Sequence, residues 1–516
     1  MINDTADAGS RSSFGGLGFR LKLFALAAGP ILALVVYAIT GGDSPSLEPA
    51  GRTTLAVMVW MACWWLTEAV PLAATAMLPL VLFPVLGVAT ADEAAAPYAN
   101  SLIFLFMGGF ILGLGMQRWG LHRRIALTVL RAAGSDTRRL IAAFMGVTAV
   151  LSMWMSNTAT AIMILPIATS LLASIAEQSS SSYGEDTPGA SGASGASGAS
   201  GASGPLATGL LLGVAYAASI GGAATLIGTP PNLLLAAFLK ERYGVEVGML
   251  EWLAVGLPFA LLLLPLTWLY LTRVVCRGMP RRLPGSRAMF ADQLRALGPM
   301  STGEKVVLIV FSGAVFGWLL RPQIVSLTGI TGLSDAVIAM AAALVLFVIP
   351  VELSTRKFAM DWSTAKHLAW DILLLFGGGL TLASAIARHG VDAWMASGLG
   401  ALAGEPLLLI VLAVATLVVF LTEITSNTAV AATLLPVLAA TATALGVPPA
   451  PLLVATALGA SCAFMLPIAT PPNAIVFSTG QVTIAQMARA GFALNIASIL
   501  IITALLTIGF GGDILR

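Results

Sequence analysis

Long apolar stretches alternate with short polar stretches along almost the whole chain. Many of the apolar stretches reach about 18 residues, which is enough for a helix to cross a hydrocarbon core of about 30 Å. The pattern therefore predicts an all-α polytopic membrane protein with about 11 transmembrane helices. The regular candidate spans cover residues 23–40, 53–70, 71–88, 100–117, 206–228, 250–272, 304–320, 334–350, 370–387 and 484–508.

Four apolar segments are interrupted by polar residues or prolines. Residues 140–176 and 406–445 each carry a Ser-Asn-Thr triplet near the middle, and we predict that each forms a re-entrant helical hairpin. Residues 206–240 and 451–478 each contain Thr-Pro-Pro-Asn. Because proline lacks an amide hydrogen and clashes with the preceding turn, these two segments are predicted to be broken transmembrane helices. Irregular backbone at membrane depth lines protein or water, so function is expected there.

The interrupted segments belong to an internal repeat. Ser156-Asn157-Thr158 and Ser426-Asn427-Thr428 lie 270 residues apart, and the same offset places Pro166 over Pro436. One constant offset indicates two copies of one structural unit. The two Thr-Pro-Pro-Asn motifs are 241 residues apart, because the first copy contains an additional Gly-Ala-Ser-rich segment.

The distribution of arginine predicts that the two copies have opposite orientations. Six arginines lie between residues 118 and 139, whereas the matching stretch 388–409 contains only Arg388. Basic residues concentrate on the cytoplasmic side of membrane proteins. The stretch 118–139 of the first copy is therefore expected to lie in the cytoplasm, and the matching stretch 388–409 of the second copy is expected to lie outside. The repeats are therefore predicted to be inverted. The same rule places the protein in the cytoplasmic (inner) membrane with its N-terminus inside and its C-terminus outside.

These patterns predict the following domain organisation. Residues 1–22 form a cytoplasmic tail, 23–100 scaffold helices, 101–249 the first repeat core, 250–369 scaffold helices with a cytoplasmic loop, 370–483 the second repeat core, and 484–516 the last transmembrane helix and C-terminus. The segment 178–205 within the first core is predicted to be a disordered loop, because it has too little apolar surface to offset its ordering entropy.

Composition supports a membrane protein and excludes several other classes. The chain is 58% hydrophobic and 10% charged with a net charge of +2, so nucleic acid is not expected as a partner. Its three cysteines and three histidines lack metal-binding spacing, which argues against a zinc site or a disulfide framework. The lipid bilayer is the expected surrounding.

The hairpin tips offer sites for ions of both signs. An incoming helix ends in free carbonyls and an outgoing helix begins with free amides, so a cation can bind beside the first and an anion beside the second. Ser and Asn oxygens suit a hard cation, and Asn amides and Thr hydroxyls can donate to a carboxylate. Ser152 and Thr422 precede the triplets by about one turn, and Thr425 lies one turn after Thr422, so these residues add oxygens on the same face. A simple helix cap and a simple proline kink remain the alternatives.

Two glutamates have open interpretations. Glu68 lies at a predicted helix boundary, where it could be an interfacial or capping carboxylate. Glu423 lies inside the second hairpin where the first has Met153. An acidic side chain at that depth indicates either a functional site or a structural hydrogen bond within the hairpin.

The chain resembles the divalent anion/sodium symporter family, which includes sodium-dependent dicarboxylate and citrate transporters of the INDY type. The resemblance rests on both Ser-Asn-Thr triplets, both Thr-Pro-Pro-Asn motifs, the segment 64–71 (Trp-Trp-Leu-Thr-Glu-Ala-Val-Pro) and the segment 422–425 (Thr-Glu-Ile-Thr), and it spans nearly the whole chain. It implies a homodimer with a scaffold and an elevator-like transport domain, without enzymatic activity.

The resemblance also implies the site residues. A first sodium ion is expected near Ser152, Ser156, Asn157 and the Gly228 carbonyl, and a second near Thr422, Thr425, Asn427 and the Ala469 carbonyl. The substrate carboxylates are expected near Asn157, Thr158, Asn427 and Thr428, with Pro230 and Pro471 close by.

The predicted function is sodium-coupled symport of C4 dicarboxylates such as succinate, malate and fumarate, by elevator-type alternating access. Na⁺ is the coupling ion, and no organic cofactor is expected. A sodium-independent dicarboxylate exchanger and a sulfate or tricarboxylate carrier remain open alternatives on the same fold. A cation/proton antiporter fits less well, because the sequence shows no clear ionisable pair at midplane depth. An arsenite-type permease is a more remote alternative that metalloid resistance would signal.

Overall fold

The computed structural model describes residues 15–41, 47–181, 200–399 and 405–509, and these residues are mainly helical. The first twelve helices are α1 (Gly15–Ile39), α2 (Pro49–Thr67), α3 (Leu72–Ala76), α4 (Leu78–Val85), α5 (Ala91–Ala95), α6 (Ser101–Arg118), α7 (Leu121–Ala133), α8 (Thr137–Ser152), α9 (Asn157–Ser181), α10 (Ser200–Ala223), α11 (Pro230–Tyr243) and α12 (Met249–Tyr270).

The remaining helices are α13 (Ser286–Ala296), α14 (Thr302–Leu319), α15 (Arg321–Thr328), α16 (Asp335–Val348), α17 (Trp362–Ala365), α18 (Trp370–Arg388), α19 (Val391–Leu399), α20 (Leu407–Leu421), α21 (Asn427–Leu445), α22 (Pro449–Ala460), α23 (Pro471–Phe477) and α24 (Ile484–Thr507). A 3₁₀ turn covers Ala96–Ala99 and a π turn covers Leu271–Val275. Strands β1 (Pro350–Glu352) and β2 (Lys357–Phe358) form a small antiparallel hairpin that the all-helical prediction did not include.

Within the described ranges, nine helices are long and apolar enough to cross a membrane, which confirms the polytopic helical class. The predicted span 71–88 is wrong, because two short helices, α3 and α4, replace it. Pro79 lies in the first turn of α4 and cannot donate an amide to the preceding helix, so the chain breaks at Met77. Residues 15–22, predicted as part of a tail, belong to α1, whereas residues 1–14 lie outside the described part.

The interrupted segments have the predicted form. Helices α8 and α9 make the first hairpin and α20 and α21 the second, while α10–α11 and α22–α23 are the broken helices. Most of the predicted disordered loop, residues 182–199, lies outside the described residues. Its flanks belong to α9 and α10, so the predicted boundaries at 178 and 205 were too wide.

Packing of the broken helices shows that the two repeats have opposite directions. Helix α10 packs against α23, and α11 packs against α22. The first half of each broken helix therefore lies beside the second half of the other, so the two run antiparallel. The outgoing arm of each hairpin also contacts the broken helix of the other copy: α9 packs against α23, and α21 packs against α11.

The helices α6 and α18, which precede the two hairpins, are also antiparallel to each other. At the end of α6, Arg118 donates to Thr364 Oγ1 at 3.0 Å, in the segment just before α18. At the end of α18, Arg388 donates to Glu93 Oε1 at 2.8 Å, in the segment just before α6. Each helix therefore ends near the beginning of the other, which is the geometry of an inverted pair.

The centre of the molecule is formed by broken helices rather than by the outer spans. Residues 206–223 of α10 are buried throughout, whereas the outward face of α1 is largely exposed. Helix α12 packs against α10 and α24, and α24 packs against α20 and α22. Helix α6 packs against α16, and α18 packs against α3. Packing thus groups α12 and α24 with the hairpins, whereas α6 contacts mainly α16, and α18 contacts both α3 and the broken helix α11.

Candidate functional site

Each hairpin turns between the helix that ends at its tip and the helix that starts at the asparagine of the triplet. Helix α8 ends at Ser152 and α9 begins at Asn157, while α20 ends at Leu421 and α21 begins at Asn427. Ser156 Oγ accepts a hydrogen bond from Ala159 N at 3.2 Å, so this serine also caps α9. The carbonyls at the end of one arm and the amides at the start of the next therefore meet at each tip.

Three neutral oxygen atoms converge at the first tip. Ser152 Oγ lies 2.6 Å from Asn157 Oδ1 and 2.7 Å from the carbonyl oxygen of Ala218 on α10. The hydroxyl has one proton and can donate to only one of these acceptors at a time. Ser152 is fully buried, so the cluster is shielded from water and carries no fixed charge. Such neutral oxygens are ligands that a hard cation accepts.

The second tip repeats this arrangement at matched positions. Thr422 Oγ1 lies 2.7 Å from Asn427 Oδ1 and 3.1 Å from the carbonyl oxygen of Ala460 on α22. Thr425 is also buried, and its hydroxyl has no hydrogen-bond partner among the described residues. Because a buried hydroxyl without a partner is unfavourable, this oxygen is available to a ligand. The cation-ligand chemistry is therefore present in both copies.

Two glycines allow the first break to approach the first tip. A Cβ atom on Gly222 would overlap the side-chain oxygen of Asn157, and a Cβ on Gly228 would overlap the carbonyl oxygen of Gly222. Only glycine permits this approach. The structure thus brings Ser152, Asn157 and Gly228 together. In the second copy, Ala469 is buried in the corresponding break, one residue before the cap of α23.

The prolines of the repeated motifs lie where the half-helices restart. Pro230 and Pro471 are the first residues of α11 and α23, and the preceding threonines, Thr229 and Thr470, have extended backbones. The sequence predicted this position, since a first-turn proline gives up an amide that has no partner within the helix. Thr158 and Thr428 occupy the second positions of α9 and α21 and are half-buried at the tips.

The sequence analysis missed the role of the asparagines that close the motifs. Asn232 Nδ2 donates to the carbonyl of Thr225 at 2.7 Å, and Asn473 Nδ2 donates to the carbonyl of Leu466 at 3.1 Å. Both residues are fully buried. Each amide therefore satisfies a carbonyl that the break has left without a helical partner. The sequence did contain a signal for this role, because a helix break that leaves carbonyls without partners requires hydrogen-bond donors nearby.

Glu423 has a defined structural environment. Its carboxylate accepts backbone hydrogen bonds from Phe464 at 2.7 Å, Met465 at 2.9 Å and Leu466 at 3.1 Å, and a fourth from Asn495 Nδ2 of α24 at 2.7 Å. It joins the second hairpin to the second break. The hydrogen-bond alternative raised by the sequence therefore describes this residue, with partners outside the hairpin.

The fold and these sites define a helical membrane protein with an inverted internal repeat. Residues 23–511 match the family model described as "sodium:sulfate symporter transmembrane region", and the chain belongs to this family. The family resemblance seen in the motifs is thereby confirmed.

Known relatives extend over most of the chain. A sodium-dependent dicarboxylate transporter SdcS from Staphylococcus saprophyticus is 40% identical over 483 residues, which cover 93% of this chain and 90% of the relative. The protein of the same name from Staphylococcus aureus strain USA300 is 38% identical over 484 residues, with the same coverage. The YdaH transporter from Alcanivorax borkumensis has a similar fold, with a TM-score of 0.50 and 15% identity over 96% of this chain and 98% of that one.

Proposed function

We propose that this protein is a secondary transporter, not an enzyme, that couples Na⁺ to the entry of C4 dicarboxylates such as succinate, malate and fumarate. The observation that carries the proposal is the pair of matched oxygen clusters, Ser152 with Asn157 and Thr422 with Asn427. The names of the SdcS relatives support both the coupling ion and the substrate class. Neutral ligands bind a cation without holding it permanently, which transport requires.

Each proposed ion site combines side chains of one hairpin tip with a carbonyl of the adjoining break. The first site comprises Ser152, Ser156, Asn157 and the Gly228 carbonyl, and the second comprises Thr422, Thr425, Asn427 and the Ala469 carbonyl. The substrate carboxylates bind between the tips, at Asn157, Thr158, Asn427 and Thr428, beside Pro230 and Pro471. The sodium charges and the free amides that open α9 and α21 offset the negative charge of the substrate.

We propose an elevator-type movement of the central helices against an outer frame. The hairpins and broken helices pack on each other and on α12 and α24, whereas α6 and α18 pack on α16 and α3. The connecting helices α7 and α19 each follow a glycine with left-handed backbone, Gly120 at φ 70° and Gly390 at φ 65°. These matched points are suitable hinges. The domain boundaries at 101–249 and 370–483 stay a prediction.

The assembly and orientation are also proposals. We propose a homodimer in the cytoplasmic membrane, on the basis of the family resemblance. The N-terminus lies inside and the C-terminus outside, because the arginine-rich ends of α12 and α8 meet at one end of the bundle, where Thr137 N donates to the Arg281 carbonyl at 3.2 Å. A cysteine introduced at Arg287 is expected to be labelled only from the inside. Labelling only from the outside would reverse the proposed orientation.

The direct test is uptake of labelled succinate into proteoliposomes with and without an inward sodium gradient. Sodium-driven accumulation is expected. Flux that requires internal dicarboxylate and ignores sodium selects an exchanger, and absence of succinate flux under both conditions refutes the proposal. Sulfate is the second candidate, because the family description names it. Labelled sulfate taken up faster than succinate under the same gradient selects that substrate.

A further inference from the structure

Seven exposed arginines lie at one end of the helix bundle. This arginine band comprises Arg138, Arg139, Arg273, Arg277, Arg281, Arg282 and Arg287. Within the described ranges none of the seven forms an ion pair, whereas six arginines elsewhere in those ranges do. An exposed cluster of like charges repels itself, and a negatively charged partner relieves that repulsion.

Backbone and aromatic contacts hold the members of the band together. Thr137 N donates to the Arg281 carbonyl at 3.2 Å, which joins the start of α8 to the loop before α13. Trp268 Nε1 of α12 donates to the Arg138 carbonyl at 2.9 Å. The arginines of three separate segments therefore share one surface. Trp268 is only half-buried, as is typical of an aromatic side chain at the edge of a bilayer.

The outer face of α12 locates this surface at the boundary of the hydrocarbon. Leu262, Leu266 and Leu269 are 52%, 41% and 39% exposed, and they follow one another along one side of the helix. Arg273 follows in the π turn, four residues after Leu269, and Arg277 lies just beyond that turn, where its Nε donates to the Arg273 carbonyl at 3.1 Å. An exposed leucine face that changes to arginine within one turn indicates the level at which lipid tails give way to headgroups.

We propose that the arginine band binds the phosphate headgroups of anionic lipids in the leaflet that it faces. Guanidinium groups form paired hydrogen bonds with phosphate oxygens, and basic side chains directly beside a membrane span are attracted to anionic lipid. The leucine face of α12 lies where the tails of those lipids would be, which favours a lipid over a soluble anion.

The test uses the purified full-length chain in detergent, titrated with phosphatidylglycerol or with phosphatidylcholine while thermal unfolding is followed by tryptophan fluorescence. Phosphatidylglycerol is expected to raise the unfolding midpoint more than phosphatidylcholine does. In Arg273→Gln/Arg277→Gln, the phosphatidylglycerol concentration for half of the effect rises by about 25-fold, or about fivefold for each arginine. Arg281→Gln/Arg282→Gln provides a second variant if the first is poorly folded.

The matched control is Arg295→Gln, because Arg295 is exposed on α13 but already paired with Asp292 at 2.9 Å. Its titration should follow that of the unmodified protein. Equal stabilisation by the two lipids overturns the proposal, and so does an unchanged titration in both double variants. Inorganic phosphate that reproduces the full shift indicates a soluble-anion site and likewise overturns it.

Discussion

The two hairpin tips carry the same triplet, yet they are held in place by different contacts. At the first tip, the Thr225 hydroxyl from the break donates to the carbonyl of Met153. Trp154 stacks on Trp318 of α14, with ring centroids 5.9 Å apart and planes 4° apart. The adjoining break is buried, and Trp252 Nε1 of α12 donates to its Ala223 carbonyl at 3.1 Å.

At the second tip, the residues at the positions of Met153 and Trp154 are Glu423 and Ile424. The carboxylate of Glu423 holds the break, while Ile424 is 68% exposed and Ile468 in the break is 79% exposed. The first tip thus contacts α14 and, through its break, α12, whereas the second is joined to its break by Glu423 and Thr422 and to α24 by the bond from Asn495. Identical motifs therefore do not make the two sites equally robust.

The largest effect is expected from removing the central asparagines. Asn157→Ala and Asn427→Ala each delete an oxygen of one cluster, and each should abolish sodium-driven succinate uptake while leaving the protein folded and its oligomeric state unchanged. Proteoliposome uptake and size-exclusion chromatography measure the two properties. Thr169→Ala on α9 is the control, because the Thr169 hydroxyl bonds only the carbonyls of its own helix. Normal uptake by both asparagine variants contradicts the proposed sites.

Removal of the second tip's carboxylate should have the next largest effect. Glu423→Ala removes the acceptor of three backbone amides, of which that of Phe464 is buried, and of the buried Asn495 side-chain amide, at a cost of about 3–5 kcal/mol in the free energy of unfolding. Glu423→Gln keeps one side-chain acceptor and should lose less. Thermal unfolding of the purified protein measures both.

Met153→Ala is the matched control in the first repeat, since its carbonyl remains in place for Thr225. The comparison between the repeats fails if Met153→Ala is as destabilised as Glu423→Ala.

A smaller effect is expected where the breaks approach the tips. Gly222→Ala places a methyl group against Asn157, and overpacking of this kind costs about 1–3 kcal/mol. If this cost falls on ion binding, sodium activation of uptake weakens by roughly 5- to 150-fold. The matched position in the second repeat is Ala463, which already carries a methyl group. Ala463→Gly should leave the sodium dependence nearly unchanged. Equal changes in sodium dependence in the two variants would show that the first site is packed no more tightly than the second.

The smallest effect concerns the aromatic stack. Trp154→Leu loses the contact with Trp318, which is worth about 0.5–1.5 kcal/mol, and should lower the unfolding midpoint slightly. Ile424→Leu, at the matched exposed position, should leave the midpoint unchanged. A larger decrease for Ile424→Leu than for Trp154→Leu reverses our view of which tip is anchored.

Hydrophobic patterning was sufficient for the hairpins and the broken helices. The offset of 270 residues predicted where both tips occur, because triplets and prolines at matched positions impose the same local geometry. Patterning failed at 71–88, where apolar composition could not distinguish one span from two short helices. Hydrophobic patterning also did not predict the β-hairpin at residues 350–358, because its turn and strand pairing depend on contacts between those residues.

The sequence by itself determined the membrane class, the repeat, the breaks and the residue types available to ions, because each follows from local composition and spacing. Only the tertiary structure decided what each freed backbone group contacts. Asn232, Asn473 and Glu423 satisfy carbonyls and amides on separate segments. It also made the two tips unequal, because anchoring depends on which neighbouring helix packs there, and that contact joins residues far apart in the chain.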